Sequence, residues 1–128
     1  MLAELKSEVE RRIQSFRYAF SGWYYVLRVE PNARIHAAIS VAVVAIGLWL
    51  RIERLEWAAL ILTMMIVWMA EFTNTAIEVV VDLAMPETHP LAKVAKDVAA
   101  ATVLIGALGA TVVGLLILGP PLWHRLLG

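Results

Sequence analysis

The sequence predicts an all-α integral membrane fold, with an N-terminal amphipathic surface helix followed by three transmembrane helices. Three observations carry this. Hydrophobic residues make up 61% of the 128 residues, well above the roughly 45–50% of soluble domains. Mean hydropathy is +0.75. The apolar residues gather into three long runs separated by short charged stretches, and a helix needs about 20 mostly apolar residues to cross a bilayer. A soluble bundle of this composition would carry more apolar surface than its core could bury. Residues 1–128 are expected to form one domain.

Residues 1–29 read as the surface helix. In VERRIQSFRYAFSGWYYVL (9–27), Val9, Ile13, Phe16 and Phe20 recur at helical spacing, with Arg12 and Arg17 elsewhere on the wheel. Such a helix lies in the interface with its basic residues toward lipid headgroups, and Trp23, Tyr24 and Tyr25 suit that depth. Charges recur throughout residues 1–34, unlike a cleavable signal peptide. The first span is expected over 31–51: AAISVAVVAIGLWL (37–50) is uncharged, and Pro31 suits the first turn of a helix, leaving Glu30 at its start. The second is expected over 55–82, where WAALILTMMIVWMA (57–70) continues to Val81 if two glutamates are tolerated. The third is expected over 92–118 and contains VAAATVLIGALGATVVGLLIL (98–118). There Gly106, Ala110 and Gly114 read as a small-residue face for close helix packing.

Orientation follows from the basic residues, which favour the cytoplasmic side. With the N-terminus inside, Lys6, Arg11, Arg12, Arg17, Arg28, Arg34, Lys93 and Lys96 of the 11 Lys and Arg are cytoplasmic, whereas Arg51, Arg54 and Arg125 are not. Other classes drop out. There is no cysteine, hence no disulfide framework or thiolate metal site. Zero net charge gives no argument for nucleic acid. No phosphate-binding GxxxxGK[ST] loop and no protein-kinase signature occurs.

On this topology three segments bring polar residues to the cytoplasmic face: Glu30, Asn32, Arg34 and His36; Glu71, Asn74, Glu78 and Asp82; Lys93, Lys96 and Asp97. At 100° per residue, Glu71, Asn74, Glu78 and Asp82 fall within an arc of about 80°, a stripe about 16 Å long. Each has an ordinary reading. Glu71 and Glu78 could pair with cations between helices, Asn74 could bond a neighbouring helix, and Asp82 could be a solvated helix end. Lys96, Asp97 and Glu30 could be plain helix-terminal charges, and His36 and His89 packing or interfacial residues. Yet acids inside a membrane normally face a polar cavity and mark function, and carboxylates hold Mg²⁺ through one or two ligands while phosphates complete its shell. Metal ligation or proton abstraction is therefore the functional reading of Glu71 and Glu78. A non-enzymatic alternative is a small ion- or proton-conducting oligomer lined by the same stripe.

EFTNTAIEVVVD (71–82) resembles the motif of the small prokaryotic diacylglycerol kinases, which include the undecaprenol kinases: Glu, two variable residues, Asn, Ser or Thr, Ala or Ser, an aliphatic residue, Glu, then Val-Asp. FRYAFSGW (16–23), EPNARIH (30–36) and AKVAKDVAAATVLI (92–105) resemble the corresponding family segments. The resemblance implies a homotrimeric kinase of the prokaryotic inner (plasma) membrane that uses Mg²⁺ and ATP to phosphorylate a membrane lipid alcohol, with sites shared between subunits. It implies Glu71 as catalytic base and Glu30 and Glu78 as metal ligands that also meet the nucleotide. Lys96 and Asp97 would contact the nucleotide, with Arg11, Tyr18, Glu87 and His89 nearby, and Asn74, Asp82 and Arg34 in support. PNARIH resembles the undecaprenol kinase branch, since the diacylglycerol branch tends to carry an acid at His36. Undecaprenol is the expected acceptor and diacylglycerol the alternative.

Overall fold

The computed structural model describes the backbone of residues 1–128 and every side chain except those at positions 2 and 3. The chain is helical almost throughout: α1 (Leu2–Val29), α2 (Pro31–Leu50), α3 (Arg54–Ala84) and α4 (Pro90–Leu127). Among them α2, α3 and α4 are long and apolar enough to cross a membrane.

The breaks between helices have local causes. A residue before proline is driven out of the helical region, and Glu30 is extended at φ −95°, ψ 113°, with Pro31 opening α2. The chain therefore bends at Glu30 and sets its side chain at the mouth of the bundle. At the far end Arg51 closes α2 in the left-handed conformation, φ 56°. Its N–H donates to the Leu48 carbonyl, and the Ile52 N–H donates to that of Gly47, a paired arrangement that satisfies the last helical carbonyls. Glu53 and Glu56 form a capping box that starts α3. His89 Nδ1 accepts the Leu91 N–H at 3.2 Å and starts α4, with Pro90 in its first turn.

α4 packs most extensively along α3, α2 lies across both, and α1 docks on α2 and α3. The docking involves the last turns of α1, where Val26 is buried and the Trp23 ring lies 4.5 Å from Trp68 and 4.8 Å from Phe72. Trp23 thus serves as an anchor between helices as well as an interfacial residue. Gly47 admits the Trp57 ring so closely that an added Cβ would stand 2.9 Å from it. Of the expected small-residue face, Gly106 lies against Val67 of α3, whereas Gly114 has nothing within 4 Å of an added Cβ. The packing role therefore belongs to Gly106, and Ala110 and Gly114 line an apolar cavity instead.

The apolar core is small: Val26, Ala33, Leu60, Val67, Ala99, Val103 and Leu118. Large apolar side chains such as Val41, Ile66, Met69, Ile105 and Leu116 point outward. In water that surface would be prohibitive; in hydrocarbon it is the solvent-facing side. Arg125 closes the far end of the bundle, 5.0 Å above the Trp49 ring and 3.4 Å from the Trp49 carbonyl.

Candidate active site

The polar stripe of α3 is graded in depth. Glu71 is 1% exposed and Asn74 6%, Glu78 is half-buried, and Asp82 is exposed. The rise is monotonic because the stripe holds one face while α3 climbs out of the bundle. The Thr75 hydroxyl donates to the Glu71 carbonyl at 2.9 Å, turning its own polar atom back into the helix. Asn74 Nδ2 donates to Glu78 Oε1 at 3.1 Å, tying the two middle members together.

Glu71 meets α2 at His36, whose Nε2 lies 3.1 Å from Glu71 Oε1. That separation suits a charge-assisted contact, but donor and acceptor are not aligned, and Glu71 Oε1 has no hydrogen-bond partner among the described residues. Asn74 Oδ1 is likewise buried without a partner. Two such atoms on one helix face are costly and mark a surface built for further polar groups. Glu30, at the bend before α2, belongs to the same cluster. Burial pushes its carboxyl above the usual range, and the Glu78 and Glu71 carboxylates push it further.

Three acids that repel one another form a cation-attracting site. Among the described residues no three His, Cys, Asp or Glu side chains form a ready-made metal cage. Mg²⁺ needs only one or two carboxylates and completes its shell with phosphate and water. As carboxylates beside one another, Glu30 and Glu78 fit that donor set.

The α3–α4 junction forms a cleft of 570 Å³ lined by Asp82, Glu87, His89, Lys93, Lys96 and Asp97, among others. Lys96 pairs with Asp82 across the two helices at 2.5 Å, and Asp97 pairs with Lys93 one turn back on α4. Glu87, His89, Lys96 and Asp97 thus share one cleft at the exposed end of the stripe. Arg11 and Tyr18 find partners on α1 itself, Arg11 with Glu8 and Tyr18 accepting from Gln14, and both are exposed. Arg34 is exposed near the start of α2. These three are not drawn onto the stripe by any hydrogen bond or ion pair described here.

His36 is the residue that sequence reasoning undervalued. A histidine near the start of an apolar span is usually a packing or interfacial residue, and nothing on its own helix distinguishes it. The available signal lay across helices: in an antiparallel pair, a residue near the start of α2 must face one near the end of α3, and the buried member there is Glu71.

Fold and site together describe a membrane protein whose helices gather carboxylates and a lysine toward one end. The model of the family described as prokaryotic diacylglycerol kinase matches residues 17–118. A diacylglycerol kinase of Synechocystis is 45% identical over 109 residues, 84% of this chain and 62% of that protein's length. An undecaprenol kinase of Bacillus subtilis is 38% identical over 117 residues, 91% of this chain and 95% of the relative. A diacylglycerol kinase of Escherichia coli K12 is 32% identical over 102 residues, 80% of this chain and 84% of the relative. The chain belongs to the prokaryotic diacylglycerol kinase family, a family of membrane lipid kinases.

Proposed function

We propose that this chain transfers the γ-phosphoryl group of ATP to the hydroxyl of a membrane lipid at the cytoplasmic face, with undecaprenol as acceptor. The observation that carries the reading is the graded stripe: one helix face holds a fully buried carboxylate, a half-buried one and an exposed acid paired to Lys96. That order matches a reaction between a lipid alcohol and a water-soluble nucleotide. Glu71, at lipid depth, accepts the proton of the acceptor hydroxyl as general base. Lys96, at the exposed end, places a positive charge near the nucleotide phosphates. Phosphoryl transfer spreads negative charge over the transferred group, so positioning and cations supply most of the catalysis. Mg²⁺ held by Glu30 and Glu78 would neutralise phosphate charge. Asn74 holds Glu78 in place and leaves its own carbonyl oxygen free toward the reaction space.

Several features support an assembly around this chemistry. The outward apolar side chains fit a homotrimer, in which neighbouring subunits would share the sites. Such packing would also give Arg11 and Tyr18 a route to the nucleotide. α1 would lie along the cytoplasmic leaflet, anchored through Trp23, with the N-terminus inside.

Diacylglycerol is the second reading, favoured by the names of the Synechocystis and Escherichia coli relatives. His36 and the Bacillus subtilis relative, matched over nearly its full length, favour the polyprenol. A pore is disfavoured by the family and by the lysine-bearing cleft, which conduction does not need. The deciding experiment presents purified protein with radiolabelled ATP, Mg²⁺ and either undecaprenol or diacylglycerol. The expected result is label transfer mainly to undecaprenol. Equal transfer would remove the preference, and no transfer to either would overturn the kinase reading.

A further inference from the structure

Glu71 is buried on α3 with an unpartnered oxygen, and a carboxylate in that state is free to turn about its terminal torsion. A general base must instead hold one oxygen toward its substrate. Across helices, His36 stands beside Glu71, with Nε2 3.1 Å from Oε1. A second cross-helix link stands one turn further along α2. Ser40, one turn on from His36, donates from its hydroxyl to the His36 carbonyl at 2.7 Å. The same hydroxyl accepts the indole N–H of Trp68 at 3.3 Å. Trp68 stands one turn before Glu71 on α3. Trp68–Ser40 and Glu71–His36 are thus two polar rungs of one ladder between antiparallel helices, and Trp23 of α1 packs on the Trp68 ring.

We propose that His36 is a positioning residue for Glu71, its ring N–H fixing Oε1 so that the other carboxylate oxygen faces the acceptor hydroxyl. The inference rests on the assignment of Glu71 as base. The offset between the two groups fits this role, because catalytic hydrogen bonds are often poorly aligned before substrate binds and tighten in the complex. Imidazole suits the task better than lysine or arginine. A permanent cation would hold the carboxylate in a fixed ion pair and weaken it as a proton acceptor, whereas a ring N–H orients it by one directed bond. The Trp68–Ser40 rung ties α2 to α3 one turn away from the His36–Glu71 pair.

Chain reach separates orientation from packing. In His36→Gln the terminal amide nitrogen falls near the place of Nε2; in His36→Asn the amide is too short; His36→Leu fills the space without a donor. Each variant is assayed in detergent for kcat and for KM of ATP and lipid alcohol, with a thermal melt to confirm folding. His36→Leu and His36→Asn are expected to lower kcat about 10- to 100-fold, the usual cost of losing an orienting partner. KM for ATP should stay within about twofold, since the nucleotide is bound elsewhere, and His36→Gln should restore most of kcat. In a Glu71→Gln background His36→Leu should cost nothing further, because it acts through the lost group. Full kcat in His36→Leu beside an inactive Glu71→Gln would overturn the positioning role and leave the base assignment standing. Equal losses in the Gln and Asn variants would also overturn it, as would a loss confined to KM. An active Glu71→Gln protein would overturn both.

Discussion

Replacing Glu71 by Gln removes the proposed proton acceptor with almost no change of shape, at a position only 1% exposed. A general base contributes about 10²- to 10⁴-fold, which is about 2.7 to 5.4 kcal/mol at 1.36 kcal/mol per decade. The loss should fall on kcat. KM for ATP should hold, because Lys96 and the cleft that would receive the nucleotide are untouched. Stability should move the other way. Glu71 is a buried carboxylate with an unpartnered oxygen, and its charge adds to the repulsion that raises the Glu30 carboxyl. A neutral amide removes the charge and its repulsion of Glu30, so the variant should melt higher than the parent. The assay is radiolabelled phosphate transfer to lipid alcohol in detergent, run beside circular-dichroism melts. Full activity would refute the base assignment. Lost activity together with a lower melting temperature would refute it too, because that pairing signals a structural role.

Three further outcomes follow from the geometry. Glu30→Gln should raise KM for MgATP and also change the pH dependence of stability. A carboxyl raised on folding binds its proton more tightly folded than unfolded, so its contribution is present at acid pH and lost as pH rises through the raised value. Melts across the acidic range should therefore fall less steeply in the variant, and parallel profiles would refute the coupling. Lys96→Met should raise KM for MgATP about tenfold or more, the scale of a lost charge-assisted hydrogen bond, whereas Asp82→Asn should cost less by freeing the lysine; ATP titrations compare the two. Gly106→Ala should be neutral or slightly stabilising, since the new Cβ meets Val67 Cα at 3.7 Å and helical Gly→Ala gains about 0.5–1 kcal/mol. Gly47→Ala, at 2.9 Å from the Trp57 ring, should lose about 1–3 kcal/mol to overpacking, and thermal melts rank them.

Much of the helical plan was legible because a membrane imposes it: apolar run length fixes a span, and Pro31 marks where the chain leaves one helix and enters the next. The α3 stripe was legible for the same reason. Helical period alone puts Glu71, Asn74, Glu78 and Asp82 on one face, and the structure adds their gradient of burial. Relations between helices were less visible. Lys96 and Asp97 are neighbours in sequence, yet one reaches across to Asp82 while the other pairs along its own helix with Lys93. Successive residues on a helix lie about 100° apart, so adjacency says little about a shared target. His36 shows the same limit, since its partner lies on a different helix. The equal spacing of Gly106, Ala110 and Gly114 suggested three packing positions, but one closely approached neighbour, Val67, gives that role to Gly106.

The charge balance of the site carries the argument one step further. Glu30, Glu71, Glu78 and Asp82 converge there, and Asp82 already occupies Lys96. A bare nucleotide, itself strongly anionic, would meet mostly like charge, and in a low-dielectric setting such repulsion is felt strongly. The same acids would become favourable with a divalent cation bound, whose charge would offset that of the phosphates. On this reading Glu30 and Glu78 would hold a metal that offsets the phosphate charge, and Lys96 would exchange its Asp82 partner for a phosphate oxygen. The acid-rich site would then discriminate against free ATP before any chemistry begins. Glu71, deepest on the stripe and beyond the Asn74–Glu78 link, would stay free of the cation and remain a base. The depth gradient of α3 would thus separate two uses of one side-chain type: near water a carboxylate would hold a metal, and near lipid it would take a proton.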